Sequence, residues 1–420
     1  MSDYCLTTLA NGLRIASVEM PHMQSVSAGI WIGVGARFES PAQSGMSHFI
    51  EHLMFKGTKK RNAKQITESV EGIGGYLNAF TTEDHTCYYA KAGARHLPVL
   101  ADVLSDMILN SRFLPEEIER ERDVIREEIM MYRDQPSQHV QEMLSEIMWP
   151  KHPLGRALTG TVESISSFKR PDLLRFVDRN YNGQSMGIAV AGRATHDSVV
   201  TLFKPLLESI KPGIAPRFSP ARSKEGPKVS LLTQETEQTH LALGFYSFGR
   251  KDDRRFALKL LSVILGENMS SRLFQKLREQ HGLCYSVQTG MMTLADSGMI
   301  SISAGLDPSK LQKALKTTLY ELEKICCKKP GLHEVRRAKD YTIGQTLMGL
   351  ESTSNQMMWM GESILSYKKI LNPSEMEKKL LAVTPEEIQE VACLCLNRKN
   401  LGISVIGPMK DKKKIEEWIR

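Results

Sequence analysis

The segment Lys211-Pro212-Gly213-Ile214-Ala215-Pro216-Arg217-Phe218-Ser219-Pro220-Ala221-Arg222-Ser223-Lys224-Glu225-Gly226-Pro227 decides how the rest of the chain is read. Three prolines fall within ten residues, glycine and serine surround them, and no amphipathic period runs through. Proline lacks the amide proton that a helix or a central strand needs, so the stretch reads as an interdomain linker. It cuts 420 residues into nearly equal parts, 1–210 and 228–420, with the linker at 211–227. A single core stops growing near about 250–300 residues, so two domains are expected on length alone.

Outward from the linker, the two parts look like a diverged repeat. Each opens with a strand-like apolar segment, 27–34 and 240–245, followed by a helical segment, 45–55 and 255–265. A strand pair comes next, 76–92 and 285–305, and then a long helical stretch, 97–109 and 310–325. The closing segments are Met186-Gly187-Ile188-Ala189-Val190-Ala191-Gly192 and Leu401-Gly402-Ile403-Ser404-Val405-Ile406-Gly407. Gly187 to Gly402 and Gly192 to Gly407 are the same 215 positions apart. The order predicts an α+β fold of two homologous domains, each a mainly antiparallel sheet with helices packed on it.

Composition narrows the function. Apolar residues make up 41% and charged residues 25%, so the chain can bury large cores and is not disordered as a whole. Net charge is +7, too mild to argue for nucleic acid, and the basic clusters 56–64 and 410–414 read as solvated surface. No apolar run has the length of a membrane span, and Met1-Ser2-Asp3-Tyr4-Cys5 does not resemble a secretory leader. Seven cysteines without a C-x-x-C pair fit reduced thiols in a cytoplasmic setting, and Cys393-Leu394-Cys395 reads as core packing.

The chemistry is concentrated in Gly45-Met46-Ser47-His48-Phe49-Ile50-Glu51-His52-Leu53-Met54-Phe55-Lys56-Gly57. Ser47 is the expected cap of a short helix and Gly57 its stop. The helical repeat puts His48 and His52 on one face with Glu51 beside them, while Phe49, Ile50, Leu53 and Met54 face a core. Two imidazoles at this spacing can share one Zn²⁺, and Glu51 can take a proton from water at the open position. A third ligand is needed, and the acidic helix 115–128 is the best source. Glu121 and Glu128 share a face there, but spacing alone does not choose between Glu127 and Glu128. The remaining nine histidines have no helical partner at ligand spacing and read as structural, His85 with the least margin because it lies near a strand edge.

His48-Phe49-Ile50-Glu51-His52-Leu53-Met54-Phe55-Lys56-Gly57-Thr58 resembles the inverted zinc motif of the pitrilysin-type (inverzincin, M16) metallopeptidases. The branch it resembles holds the mitochondrial processing peptidase β-subunit and its bacterial homologues. Gly74-Gly75-Tyr76-Leu77-Asn78-Ala79-Phe80-Thr81 is similar to the family's glycine turn and substrate-binding edge strand. Glu121-Arg122-Asp123-Val124-Ile125 through Glu128 resembles its third-ligand helix, and His152-Pro153-Leu154-Gly155-Arg156 a further signature. Ser270-Ser271-Arg272-Leu273-Phe274 and the stretch from Arg278 to Tyr285 resemble the signature of the second domain. The chain departs from the usual pattern at Gly266-Glu267-Asn268-Met269, where the family often has more glycines, and at Cys284, where alanine is common.

The resemblance implies specific roles. His48, His52 and Glu128 would hold one Zn²⁺ per chain, with Glu121 supporting the Glu128 ligand from behind. Glu51 would be the general base. Asn78, Ala79 and Phe80 would take an extended peptide as an added strand. Arg278 and Tyr285 would fix the peptide and stabilise an oxyanion. Because the second half lacks the zinc motif, the resemblance implies a clam-shell dimer around a chamber, with Arg278 and Tyr285 acting on the partner's zinc. A homodimer is expected, or a heterodimer with a non-catalytic sister chain. The implied activity is a zinc endopeptidase for unfolded or presequence-like peptides, with no nucleic-acid or membrane partner. The alternative is a non-catalytic assembly or peptide-binding subunit of the same fold.

Overall fold

The strand Ser25–Ile32 is buried along nearly its whole length, so both faces of its sheet must be covered. The computed structural model describes residues 4–223 and 226–419. Met1, Ser2 and Asp3 of the expected leaderless start, and Lys224 and Glu225 of the linker, lie outside them.

The chain forms two compact units. The first comprises Met1–Ile129, Ala157–Ser219 and Leu347–Pro373, and the second Met130–Arg156, Pro220–Thr346 and Ser374–Arg420. The switch at Ser219/Pro220 falls inside the expected linker. The units are not contiguous halves, however. Each takes in a helix from the other side of the linker.

The first unit holds six strands: β1 (Tyr4–Thr8), β2 (Arg14–Glu19), β3 (Ser25–Ile32), β4 (Tyr76–Thr81), β5 (Thr86–Gly93) and β6 (Met186–Gly192). They pair in the order β1-β2-β6-β3-β5-β4. All pairs are antiparallel except β2 with β6. Side chains alternate across a strand. Val26, Ala28, Ile30 and Ile32 therefore join the core under the helices Met46–Leu53 and Leu97–Asn110. Trp31 points the other way and meets Met357, Met360 and Ile364 of the helix Thr353–Tyr367. Gly361 permits that contact. A Cβ there would lie 1.9 Å from the Trp31 indole.

The second unit repeats the plan with β7 (Lys228–Thr233), β8 (Thr239–Ser247), β9 (Cys284–Thr293), β10 (Gly298–Leu306) and β11 (Leu401–Gly407). Their order is β7-β11-β8-β10-β9, again with one parallel pair, β7 with β11. One face carries the helices Arg255–Gly266 and Leu311–Cys327. The other is covered by the helix Pro136–Met148 from before the linker, whose Val140, Met143, Leu144 and Met148 pack on Ala242, Tyr246 and Met299. Among the described residues no helix is long and apolar enough to cross a membrane.

Candidate metal centre

The motif helix Met46–Leu53 begins differently from the expectation. Gly45 stands at its N-cap with φ 88, and Ser47 lies inside the first turn. The capping group comes from outside the helix. The buried Glu39 carboxylate accepts from the Gly45 N–H at 2.8 Å and from the Ser47 N–H at 2.7 Å. A carboxylate there satisfies donors that the helix cannot and opposes the positive end of its dipole. Ser47 is therefore not the cap; its hydroxyl is buried without a hydrogen-bond partner among the described residues. The helix ends at Leu53, and Gly57 closes the following turn at φ 118.

The apolar face anchors the helix as expected, with Phe49 meeting the edge of Phe168 at 5.8 Å. His48, Glu51 and His52 emerge half-buried on the opposite side. The helix Pro115–Arg133 runs beside them. Its Glu127 is exposed, while Glu128 Oε2 lies 3.6 Å from both His48 Nε2 and His52 Nε2. Ligand atoms of His48, His52 and Glu128 all fall within 4.8 Å of one another, the one such group of three among the described residues. This settles the geometric choice that spacing left open. His85 has no part in the group; it packs against the Trp31 and Phe80 rings.

The electrostatics suit a cation. Burial, and then the neighbouring His52, pull the His48 pKa down to about 3, so its ring is neutral and its lone pair free. His52 Nδ1 lies 3.0 Å from Glu121 Oε2, which turns Nε2 toward the group. Glu121 thus supports His52 rather than Glu128. Its other oxygen meets Lys56 Nζ at 2.7 Å. Burial alone would raise the Glu121 pKa, but the hydrogen bonds from His52 and Lys56 outweigh it and hold the carboxyl low. Two imidazoles and a carboxylate, one imidazole braced by a second carboxylate, are a donor set that would fit Zn²⁺.

Glu51 stands beside the cluster and is tied to the neighbouring sheet. Its Oε2 accepts from Thr81 Oγ1 at 2.5 Å. Burial raises the Glu51 pKa most, the Thr81 hydrogen bond and His52 lower it, Glu128 raises it, and the net direction is up. Thr81 ends β4, which stands at the edge of the sheet. Along the same strand Asn78 Oδ1 accepts from the Ala79 N–H at 2.8 Å, and Phe80 packs edge-on against Trp31 at 5.7 Å. The proposed peptide edge and the proposed base are joined through one residue.

Arg278 and Tyr285 belong to the second unit. They sit together, with the Arg278 guanidinium 5.5 Å from the Tyr285 ring centroid and 4.9 Å from that of Phe274. Tyr285 is 75% exposed. Cys284 beside it is buried, and burial pushes its thiol up to about 11, so it is a packing residue rather than a reactive one.

Comparison with known proteins agrees with the donor set. Residues 14–162 match "Insulinase (Peptidase family M16)", and residues 167–341 match "Peptidase M16 inactive domain". A protein of Mycobacterium bovis described as an uncharacterized zinc protease is 37% identical over 421 residues, covering 99% of this chain and 95% of its own length. The chain belongs to peptidase family M16. A second M16 relative, an uncharacterized zinc protease of Bacillus subtilis, is 36% identical over 407 residues, covering 96% of this chain and 97% of its own. The crystal structure of a protease from Helicobacter pylori shares the fold at TM-score 0.90 and 23% identity, over 97% of this chain and all of that one.

Three residues that contact this cluster or its helix carry no sequence signal for it. Lys56 reads in the sequence as part of a solvated basic cluster, although it follows His52 by one helical turn. Thr81 lay inside the edge-strand match without a role. Glu39 had no signal at all, because the turn Pro41–Gln43 brings it back to the helix start.

Proposed function

We propose that this chain is a zinc-dependent endopeptidase that cleaves unfolded or presequence-like peptides, taken up as an added strand along β4. The observation that carries the reading is the convergence of His48, His52 and Glu128 beside a Glu51 carboxylate tethered to that strand by Thr81. Bound by the three ligands, Zn²⁺ supplies a Lewis acid that polarises the scissile carbonyl and acidifies a water. Glu51 accepts the water's proton and passes it to the leaving amine. Thr81 holds the accepting carboxylate in place, and Glu121 holds His52 in the tautomer that ligates. The free edge of β4 supplies backbone hydrogen bonds, which grip an extended peptide with little demand on its sequence.

Arg278 and Tyr285 complete the site from the partner in a homodimer that encloses a chamber. Support for this comes from the second half, where the helix Arg255–Gly266 holds no metal-ligand pair and the two residues present an exposed aromatic and a guanidinium. Seven cysteines, none of them in a disulfide, suit a reducing, cytoplasmic setting.

The test is cleavage of a quenched, unstructured basic peptide by wild type and Glu51→Gln, with zinc content determined for each. Wild type should cleave, and the variant should keep one zinc per chain and lose about 10²–10⁴-fold in kcat. Zinc in both proteins with no cleavage of any peptide in a varied library would move the assignment to a peptide-binding or assembly subunit. The dimer is tested by mixing Glu51→Gln with Tyr285→Phe chains. Recovered activity is expected, and none after demonstrated subunit exchange would refute action across the dimer.

A further inference from the structure

The second unit contains a thiol pair that the peptidase reading does not use. The helix Leu311–Cys327 ends in two adjacent cysteines, and the helix Pro385–Cys395 packs against that end. The Cys326 carbonyl is a meeting point. It accepts from Gln389 Nε2 at 2.8 Å and from Cys393 Sγ at 3.3 Å. The expectation that Cys393 and Cys395 both serve core packing holds for Cys395, which is buried, but Cys393 is exposed. Cys326 is half-buried beside it.

The position of the pair matters more than its chemistry. Between Cys326 and Cys393 the chain leaves the second unit, contributes Leu347–Pro373 to the first, and returns. The helix Thr353–Tyr367 that covers one face of the first sheet lies on this excursion. A bond between the two sulfurs would close the excursion at its base.

We propose that Cys326 and Cys393 form a reversible disulfide, a covalent staple across the base of the exchanged arm, when the protein meets a small-molecule disulfide such as oxidised glutathione. The Cys393 thiolate attacks one sulfur of the oxidant, forming a mixed disulfide and releasing one reduced glutathione. Cys326 then loses its proton, attacks Cys393 Sγ and displaces the second glutathione. Two protein thiols become one disulfide, and one oxidised glutathione becomes two reduced ones. Burial and the neighbouring thiols raise the Cys326 pKa, so the exposed Cys393 reacts first and Cys326 resolves. The ring spans 67 positions, and closing a long segment restricts the unfolded chain more than closing a short one. This inference does not depend on the peptidase activity.

The test uses the full-length protein equilibrated with mixtures of reduced and oxidised glutathione, followed by non-reducing peptide mapping, thermal melting and limited proteolysis. A peptide joining Cys326 to Cys393 is expected in the wild type and in Cys327→Ser, and not in Cys393→Ser. Tm should rise by several degrees on oxidation, cleavage within 347–373 should slow several-fold, and a dithiol reductant should reverse both. Three results would overturn the proposal: glutathione adducts at Cys393 without the internal bond, a bond from Cys327 instead of Cys326, or the internal bond with no change in melting.

Discussion

The helices Met46–Leu53 and Arg255–Gly266 stand at matching places in the two halves, each after a central strand and before a hairpin. They have opposite characters. The second buries ten of its twelve residues, from Phe256 through Gly266, and works as a core rod. The first buries one face and leaves His48, Glu51 and His52 half-covered. The contrast shows what a metal centre needs from this architecture: a helix that gives up part of its apolar surface and is held instead by contacts at its ends. Glu39 supplies that hold at the start, and the Phe49–Phe168 contact supplies it underneath.

The contrast is broken or sharpened most directly by one substitution on each helix. Leu261→Ala, at a fully buried position, should cost about 2–5 kcal/mol of unfolding free energy in denaturant titration. Glu51→Gln should leave Tm unchanged or raise it, since it removes a half-buried carboxylate charge, while removing turnover. If Glu51→Gln destabilised as much as Leu261→Ala, the motif helix would be core as well. The next largest effect separates the two covering helices. A Cβ at Gly361 meets the rigid Trp31 indole, whereas one at Gly402 meets the flexible Met148 sulfur at 2.5 Å. Gly361→Ala should therefore cost more, within the about 1–3 kcal/mol typical of overpacking, than Gly402→Ala. Equal losses would mean that the indole can move.

The smallest effect concerns ion pairs. In the first unit Glu121 pairs with Lys56 and braces His52. In the second, Arg272 of the Ser-Ser-Arg-Leu-Phe signature makes two bonds to Glu334, at 2.8 and 2.7 Å, and fixes the helix Leu332–Gly349. Burial alone would raise the Glu334 pKa, but the Arg272 hydrogen bonds outweigh it and set the folded value below the usual 4.5. A depressed folded pKa stabilises fully above the unfolded value, and that contribution disappears as pH falls through the folded one. Glu334→Gln should thus cost about 1.5–3 kcal/mol at neutral pH and progressively less in acid, measured by urea titration across pH. A constant difference across the acid range would refute the linkage.

Much of this was legible in the sequence because periodicity and punctuation report local structure. The matched segments 27–34 and 240–245 are central strands, 186–192 and 401–407 are the fully buried β6 and β11, and one of the switches between units falls in the proline-rich stretch. His48, His52 and Glu128 were readable because helical spacing and a family resemblance converge on them. Other features were silent for a physical reason. That β6 and β11 are apolar on both faces says that two covers exist, but not which helices provide them. Nothing in the local sequence around Met357 and Met360 says that they lie against Trp31; only the fold shows it. Glu39 is a carboxylate among 48 acidic residues, and nothing local marks it as the one that turns inward.

The exchange of covering helices also bears on how the chain is made. Synthesis runs from the first residue onward, and domains ordinarily fold as they emerge. Here the first sheet is complete when β6 has left the ribosome, yet the helix that shields Trp31, Ala189 and Ala191 is still untranslated. The nascent first half must therefore wait with an apolar face uncovered until residue 367 appears. Cutting the gene at the linker would make that exposure permanent, and the two fragments would need each other, or a holding chaperone, to stay in solution.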